Sequence, residues 1–177
     1  MTCSDAFPGW RMDTSLSAHL AQIWTAPSRG AAMQRCERVR AEPGRGLVGD
    51  RYHAGTGTFS GRYEVKPGVR EVSLIHDSAI AECSRRLARP VDAGMLRRNL
   101  VIAGLSETDL RGHTLRIGEV RLEILASCPP CNYLSRLLAM DMRRGLSHIG
   151  GMRGRIAAGG MLVQGEVVVV EQATRRL

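Results

Sequence analysis

The stretch HTLRIGEVRLEILASCPPCNYLSRLLAM, residues 113–140, carries the reading that decides the fold. Its first half alternates apolar with polar residues on both sides of Ile117-Gly118-Glu119, which predicts two strands joined by a tight turn. Its last part sets Tyr133, Leu134, Leu137 and Leu138 at helical spacing. The chain therefore passes from strand to helix across Cys128-Pro129-Pro130-Cys131.

Working outward, the same pattern recurs. AHLAQIWTAP (residues 18–27) and MQRCERVRA (33–41) alternate in polarity and flank PSRG, which reads as a hairpin. REVSLIHDSAIAECSRRLAR reads as a strand over residues 71–75 running into a helix from about Asp77 to Ala88, and Pro90 ends it. MLRRNLVIAG leads, helical or extended, into another strand, and GEVVVVEQ reads as a closing strand. Between the hairpin and residue 71, EPGRGLVGDRYHAGTGTFSGR (42–62) carries six glycines and predicts a long irregular loop of the kind that is usually functional. HIGGMRGRIAAGG is a second glycine-rich segment, with Gly159-Gly160 expected to turn into the last strand pair. Strands outnumber helices and most connections are short. The expectation is a mainly β fold of the α+β class, a β-barrel or strongly bent sheet with a few peripheral helices, and not a doubly wound parallel sheet.

At 177 residues with 44% hydrophobic content the chain suits one domain with a real core, expected over residues 18–177 after a flexible tail at 1–17. Apolar runs such as Val167 to Val170 are a strand's worth and far short of the roughly 20 residues needed to cross a bilayer. The N-terminus shows no basic region followed by an apolar core, so a cytoplasmic location is expected, with no membrane partner. Five cysteines in a reducing compartment suggest thiols, ligands or catalytic groups rather than structural disulfides. Net charge is +8, and Lys66 is the only lysine, so arginine forks suited to phosphate and carboxylate dominate the surface. Scattered arginines and 4% aromatic content argue against nucleic acid as the partner.

Three chemistries compete for Cys128 and Cys131. Cys131 stands just ahead of the predicted helix, where free N–H groups and the helix dipole favour an anion; thiols so placed titrate as low as about 3.5 to 7.5. A thiolate there is a nucleophile, a sulfur carrier or a soft metal ligand. Dithiol redox chemistry of the thioredoxin type needs a βαβ context, whereas the strand before Cys128 belongs to a hairpin. Zinc needs two further ligands, and Cys36, Cys83, His53, His76, His113 and His148 include no second closely spaced pair. Cys128 itself reads as a small buried residue at a strand end.

The succession GRGLVGDRYHAGTGTF, REVSLIHDSAI, MLRRNLVIAGL, LRIGEVRLEIL, CPPC and GGMRGRIAAGGMLVQGEVVVV resembles the MOSC domain, named after the C-terminal domain of molybdenum cofactor sulfurases. The resemblance covers almost everything after residue 17 and is to the small standalone bacterial members. It implies a MOSC-type β-barrel that binds molybdenum cofactor, with Cys131 as the family's cysteine, either ligating molybdenum or carrying sulfur. It implies action in cofactor sulfur transfer or delivery, with a molybdoenzyme, a cysteine desulfurase or an electron-transfer protein as partner. The alternative it implies is a small molybdenum-dependent oxidoreductase reducing N-hydroxylated compounds with electrons from a partner. Pyridoxal phosphate belongs to a different domain of the fused sulfurases and is not expected here.

The resemblance also matches an R-x-N segment to Arg97 and Asn99, with Arg98 between them, as groups that contact the cofactor. An arginine there would hold the pterin phosphate bidentately, and an asparagine amide would bond the pterin edge. Read as residues alone, Arg97 and Arg98 are equally solvated charges and Asn99 a turn former. Arg51 either braces the glycine loop through Asp50 or faces an anionic ligand. His53 is either a proton donor or structural. His148 and Arg153 flank glycines that let backbone approach a ligand, which adds both to the cofactor-binding candidates.

Overall fold

The computed structural model describes residues 18–64, 66–105 and 110–171; the tail expected at 1–17 lies outside the described residues. Strands β1 (His19–Thr25) and β2 (Gln34–Cys36) form the expected hairpin, with Ile23 opposite Cys36. The rest of the expected second strand parts company with it. Strand β3 (Arg38–Glu42) pairs with β4 (Gly46–Leu47) and β10 (Gly160–Val163) in a separate three-stranded sheet. Strand β5 (Val72–His76) runs directly into helix α1 (Asp77–Leu87), which stops where Ala88 turns left-handed (φ 49°) ahead of Pro90. Turns then lead to β6 (Leu100–Ala103), which lies parallel to β5.

Strands β7 (Thr114–Ile117) and β8 (Val120–Ser127) are the hairpin read from residues 113–127. After CPPC come α2 (Asn132–Leu138) and a short α3 (Met142–Gly145), then β9 (Met152–Ala158) and β11 (Val168–Glu171). The larger sheet has eight strands in the order β11-β7-β8-β9-β5-β6-β1-β2. The protein is thus mainly β sheet with three helices among the described residues, as expected. A closed barrel is not found among the described residues. One isolated bridge, His19 to Val167, ties the start of β1 to the residues before β11, with Val168 N–H donating to the Ala18 carbonyl at 2.7 Å.

The burial pattern explains the strand sequences. In β5, Leu74 joins a core on one face of the sheet while Ile75 joins a second core under the helices; β6 divides Leu100 and Ile102 from Val101 in the same way. Strands covered on both faces read as continuous apolar runs, as LVIA of β6 does. Each such side chain, fully buried, contributes about 1.5–3 kcal/mol. The hairpin strands bury one face only, so they alternate.

Strand β9 shows why a glycine-rich segment can be a central strand. Gly154 lies opposite Ile124 of β8 and Val72 of β5, and a Cβ there would strike the Glu123 carbonyl oxygen. The register of β8 against β9 shifts between Ile124 and Ala126, next to that contact. Among the described residues, no helix is long and apolar enough to cross a membrane.

Candidate functional site

The site forms where β5, β6 and β9 meet the loop after β8. A network centred on Asp50 builds its floor. The Asp50 carboxylate accepts from the Ala26 and Tyr52 N–H groups (both 3.1 Å), from Arg51 Nη1 at 2.9 Å and from Asn99 Nδ2 at 3.1 Å. Asn99 completes its own bonding by donating to the Trp24 carbonyl (3.1 Å) and accepting from Ser73 N–H (3.1 Å) and Ser73 Oγ (2.8 Å). Asp50 and Arg51 therefore brace the glycine loop, and Arg51 also donates to the Arg97 carbonyl at 3.2 Å.

Arg98 is buried and spent on backbone. It donates to the carbonyls of Gly150 (2.8 Å), Leu96 (2.9 Å) and Cys128 (3.0 Å). These bonds clamp the CPPC loop to the glycine segment. Gly150 is required for that approach, because a Cβ there would meet the Cys128 carbonyl.

Arg97 behaves differently. It sits in the left-handed region (φ 57°), an uncommon place for a residue with a Cβ, and is 9% exposed. Its Nη1 donates to the Ala31 carbonyl at 2.7 Å, while its buried Nη2 has no partner among the described residues. Burial and the neighbouring Arg51 charge both push its pKa down. A buried cation with an idle donor among like charges would be stabilised by an anion.

Arg51, Arg97, Arg98 and Arg153 line one pocket with Cys128, Cys131, Tyr52 and Tyr133, and among the described residues no carboxylate lines it. The cavity measures about 50 Å³, room for a small anion or the end of a larger group. Cys131 is half-buried at the N-cap of α2, as expected, and its side chain makes no capping bond. Cys128 is buried, and Arg153 Nε donates to its Sγ at 2.9 Å. Burial opposes ionisation of Cys128, but the charges of Arg98 and Arg153, the Arg153 hydrogen bond and the Arg51 charge outweigh it and pull the thiol below its ordinary value.

The structure thus brings together Cys131, Arg51, Arg97, Arg98, Asn99 and Arg153. His148 is not among them. It adopts the left-handed conformation (φ 63°) and lines an adjacent cavity of about 820 Å³, with His76, Arg143 and Gly150. Cys128 and Pro129 line both cavities. His53 lies elsewhere, with Nε2 2.9 Å from Glu42 Oε2. Among the described residues, no cluster of three or more His, Cys, Asp or Glu side chains could hold a metal ion. Tyr52, Tyr133 and Phe59 were missed by sequence reading, as was the charged setting of Cys128. Only proximity to DR and CPPC hinted at the tyrosines, since nothing local shows which loop residues converge.

A fold with this sheet order, three helices among the described residues and an arginine-lined cysteine pocket defines a small, mainly β class of protein. The MOSC domain family model matches residues 49–169, so the chain belongs to the MOSC domain family. Among solved structures it is similar to the YUAD protein from Bacillus subtilis, with 15% identity, TM-score 0.76, and coverage of 90% of this chain and 98% of that one. It is also similar to YiiM from Geobacillus stearothermophilus (14% identity, TM-score 0.67, coverage 88% and 75%) and YiiM from Escherichia coli (14%, 0.61, 88% and 71%). At these identities the likeness is one of fold. No curated protein matches in sequence.

Proposed function

We propose that this protein binds molybdenum cofactor in the cytoplasm and uses Cys131 as a sulfur-carrying or molybdenum-ligating thiolate in cofactor sulfur transfer or delivery. MOSC domains are generally associated with that cofactor, and the donor set here fits it. The observation that carries the reading is the idle, buried Nη2 of Arg97, set beside Arg153 and the two cysteines in a pocket without carboxylates. Arginine forks suit a phosphate or other oxyanion, and thiolates suit a thiophilic metal or sulfane sulfur.

The sizes of the two cavities support a division of labour. The arginine pocket accepts only the end of a ligand, whereas the adjacent cavity of about 820 Å³ falls in the range of cofactor sites and brings His148 and Arg143 to its wall. When bound, molybdenum cofactor supplies a redox-active, thiophilic metal. Arg97 and Arg153 hold negative charge, Cys131 offers sulfur, and Arg98, Asn99 and Arg51 keep the loops in place. A cysteine desulfurase or a molybdoenzyme would then be the partner on either side of the transfer.

The test is expression in a molybdate-fed, cofactor-competent host, followed by measurement of molybdenum and pterin per chain for the native protein and for Cys131→Ala. Near-stoichiometric pterin and molybdenum, with the metal altered or lost in the variant, is the expected result. Neither component on the native protein, together with no sulfur on Cys131 after exposure to a persulfide donor, would refute the reading.

A further inference from the structure

The two cysteines of CPPC are chemically unequal, and the inequality is the reverse of what their order suggests. Cys131 has the helix terminus, but α2 is only seven residues long. Cys128 has the cations. Arg153 Nε lies 2.9 Å from its Sγ, and Arg98 holds its carbonyl at 3.0 Å. A neutral thiol is a weak acceptor, whereas a thiolate accepting from a guanidinium is a charge-assisted pair. The second, independent feature is Arg97, which lines the same pocket and whose buried Nη2 has no hydrogen-bond partner among the described residues. Arg153 is already engaged by the sulfur; Arg97 is free to bind what that sulfur acquires. On the arginine side the cavity of about 50 Å³ has room for only a few atoms.

We propose that Cys128 is a sulfur-accepting nucleophile whose persulfide is held between Arg153 and Arg97, and that it passes sulfur to Cys131. This rests on the sulfur-transfer reading above and deepens it. The co-reactant is a small persulfide, RS–SH. The Cys128 thiolate attacks its terminal sulfur; a new S–S bond forms at Sγ, the donor's S–S bond breaks, and the electron pair leaves on RS⁻, giving Cys128–S–SH. The same exchange repeated with the Cys131 thiolate yields Cys131–S–SH and regenerates the Cys128 thiolate. No external oxidant or reductant is needed. Arg153 is a positioning residue for the nucleophile, and Arg97 binds the transferred sulfur.

The experiment uses Cys131→Ser protein exposed to inorganic disulfide (HSS⁻), with the added sulfur located by peptide mass after trapping. One sulfur atom on the Cys128 peptide is expected, with Arg153→Gln slowing loading by at least about tenfold and Arg97→Gln shortening the life of the adduct. Because Cys128 is 1% exposed, a bulky thiol reagent should label it far more slowly than HSS⁻ does. Arg153→Lys, which keeps the charge, should fall between native and Gln, and separates lost chemistry from lost folding. Sulfur that appears only on Cys131 in the native protein, and never on Cys128 in Cys131→Ser, overturns the proposal. So does equal loading of well-folded Arg153→Gln. Molybdenum and pterin content, measured on the same native preparations, reports on the parent reading separately: cofactor retained with no sulfur on Cys128 removes this inference alone.

Discussion

Replacing Asn99 by alanine tests whether the R-x-N segment is framework or ligand contact. Asn99 is 2% exposed, and its amide donates to the Trp24 carbonyl and Asp50 while accepting from the Ser73 N–H and Oγ. Alanine leaves the Ser73 N–H and the Trp24 carbonyl without these partners, while Asp50 keeps Arg51 and two backbone donors. A buried polar group so orphaned costs about 1–3 kcal/mol, and the Ser73 hydroxyl can rotate toward another acceptor, so the expected loss is about 2–4 kcal/mol. For a chain of this size that corresponds to a fall in Tm of roughly 5–15 °C. Urea unfolding followed by far-UV circular dichroism, with the slope unchanged, measures it directly. A loss below about 0.5 kcal/mol, accompanied by loss of pterin, would refute the framework argument and return Asn99 to the ligand.

Arg51→Met removes the partner of buried Asp50 and should cost about 3–5 kcal/mol by denaturant titration, since breaking a buried pair strands one charge. Cys128 has its pKa lowered in the folded state, so its contribution to stability is present above the ordinary thiol value and lost as pH falls through the folded one. Thiolate absorbance of Cys131→Ser should accordingly persist below the ordinary thiol range and be lost when Cys128→Ser is added to that same variant. His76 is buried with its pKa pushed below 6.5 by desolvation, so the folded state holds it neutral while the unfolded chain protonates. Stability should decline as pH drops below about 6.5, and His76→Gln should flatten that slope in a melting series. Gly154→Ala, which drives a methyl into the Glu123 carbonyl, should lower Tm by several degrees without altering the arginine pocket's residues.

Local periodicity determined most of the elements. The hairpins β1–β2 and β7–β8, the β5–α1 junction, helix α2 and the closing strand all follow from side-chain alternation, helical spacing and breakers, which act over a few residues. The six-block resemblance went further and indicated the family. What the chain could not declare was partnership. Hydrophobic runs announce that β5 and β6 are strands but not that they lie parallel, nor that β3 leaves β2 for β10, because pairing is chosen by packing between distant segments. HIGGMRGRIAAGG read only as a glycine-rich segment, and the structure makes Met152–Ala158 of it a central strand, with Gly150, Gly151 and Gly154 close against the Cys128, Leu74 and Glu123 carbonyls.

The site divides along the same line. Sequence alone determined the residue types, and the resemblance singled out CPPC and the Arg97-Arg98-Asn99 run, while Arg51 read either as a brace through Asp50 or as facing an anion. Tertiary structure alone decided their jobs. Arg98 and Asn99 are consumed by backbone and by Asp50, Arg97 keeps an idle donor, and His148 faces a different cavity. Cys128, read as a small residue filling a strand end, lies against Arg153 because β9 brings that arginine from 25 residues away. Charge acts through space over a few ångströms, and which charges share those ångströms is set by the fold and not by the order of the chain.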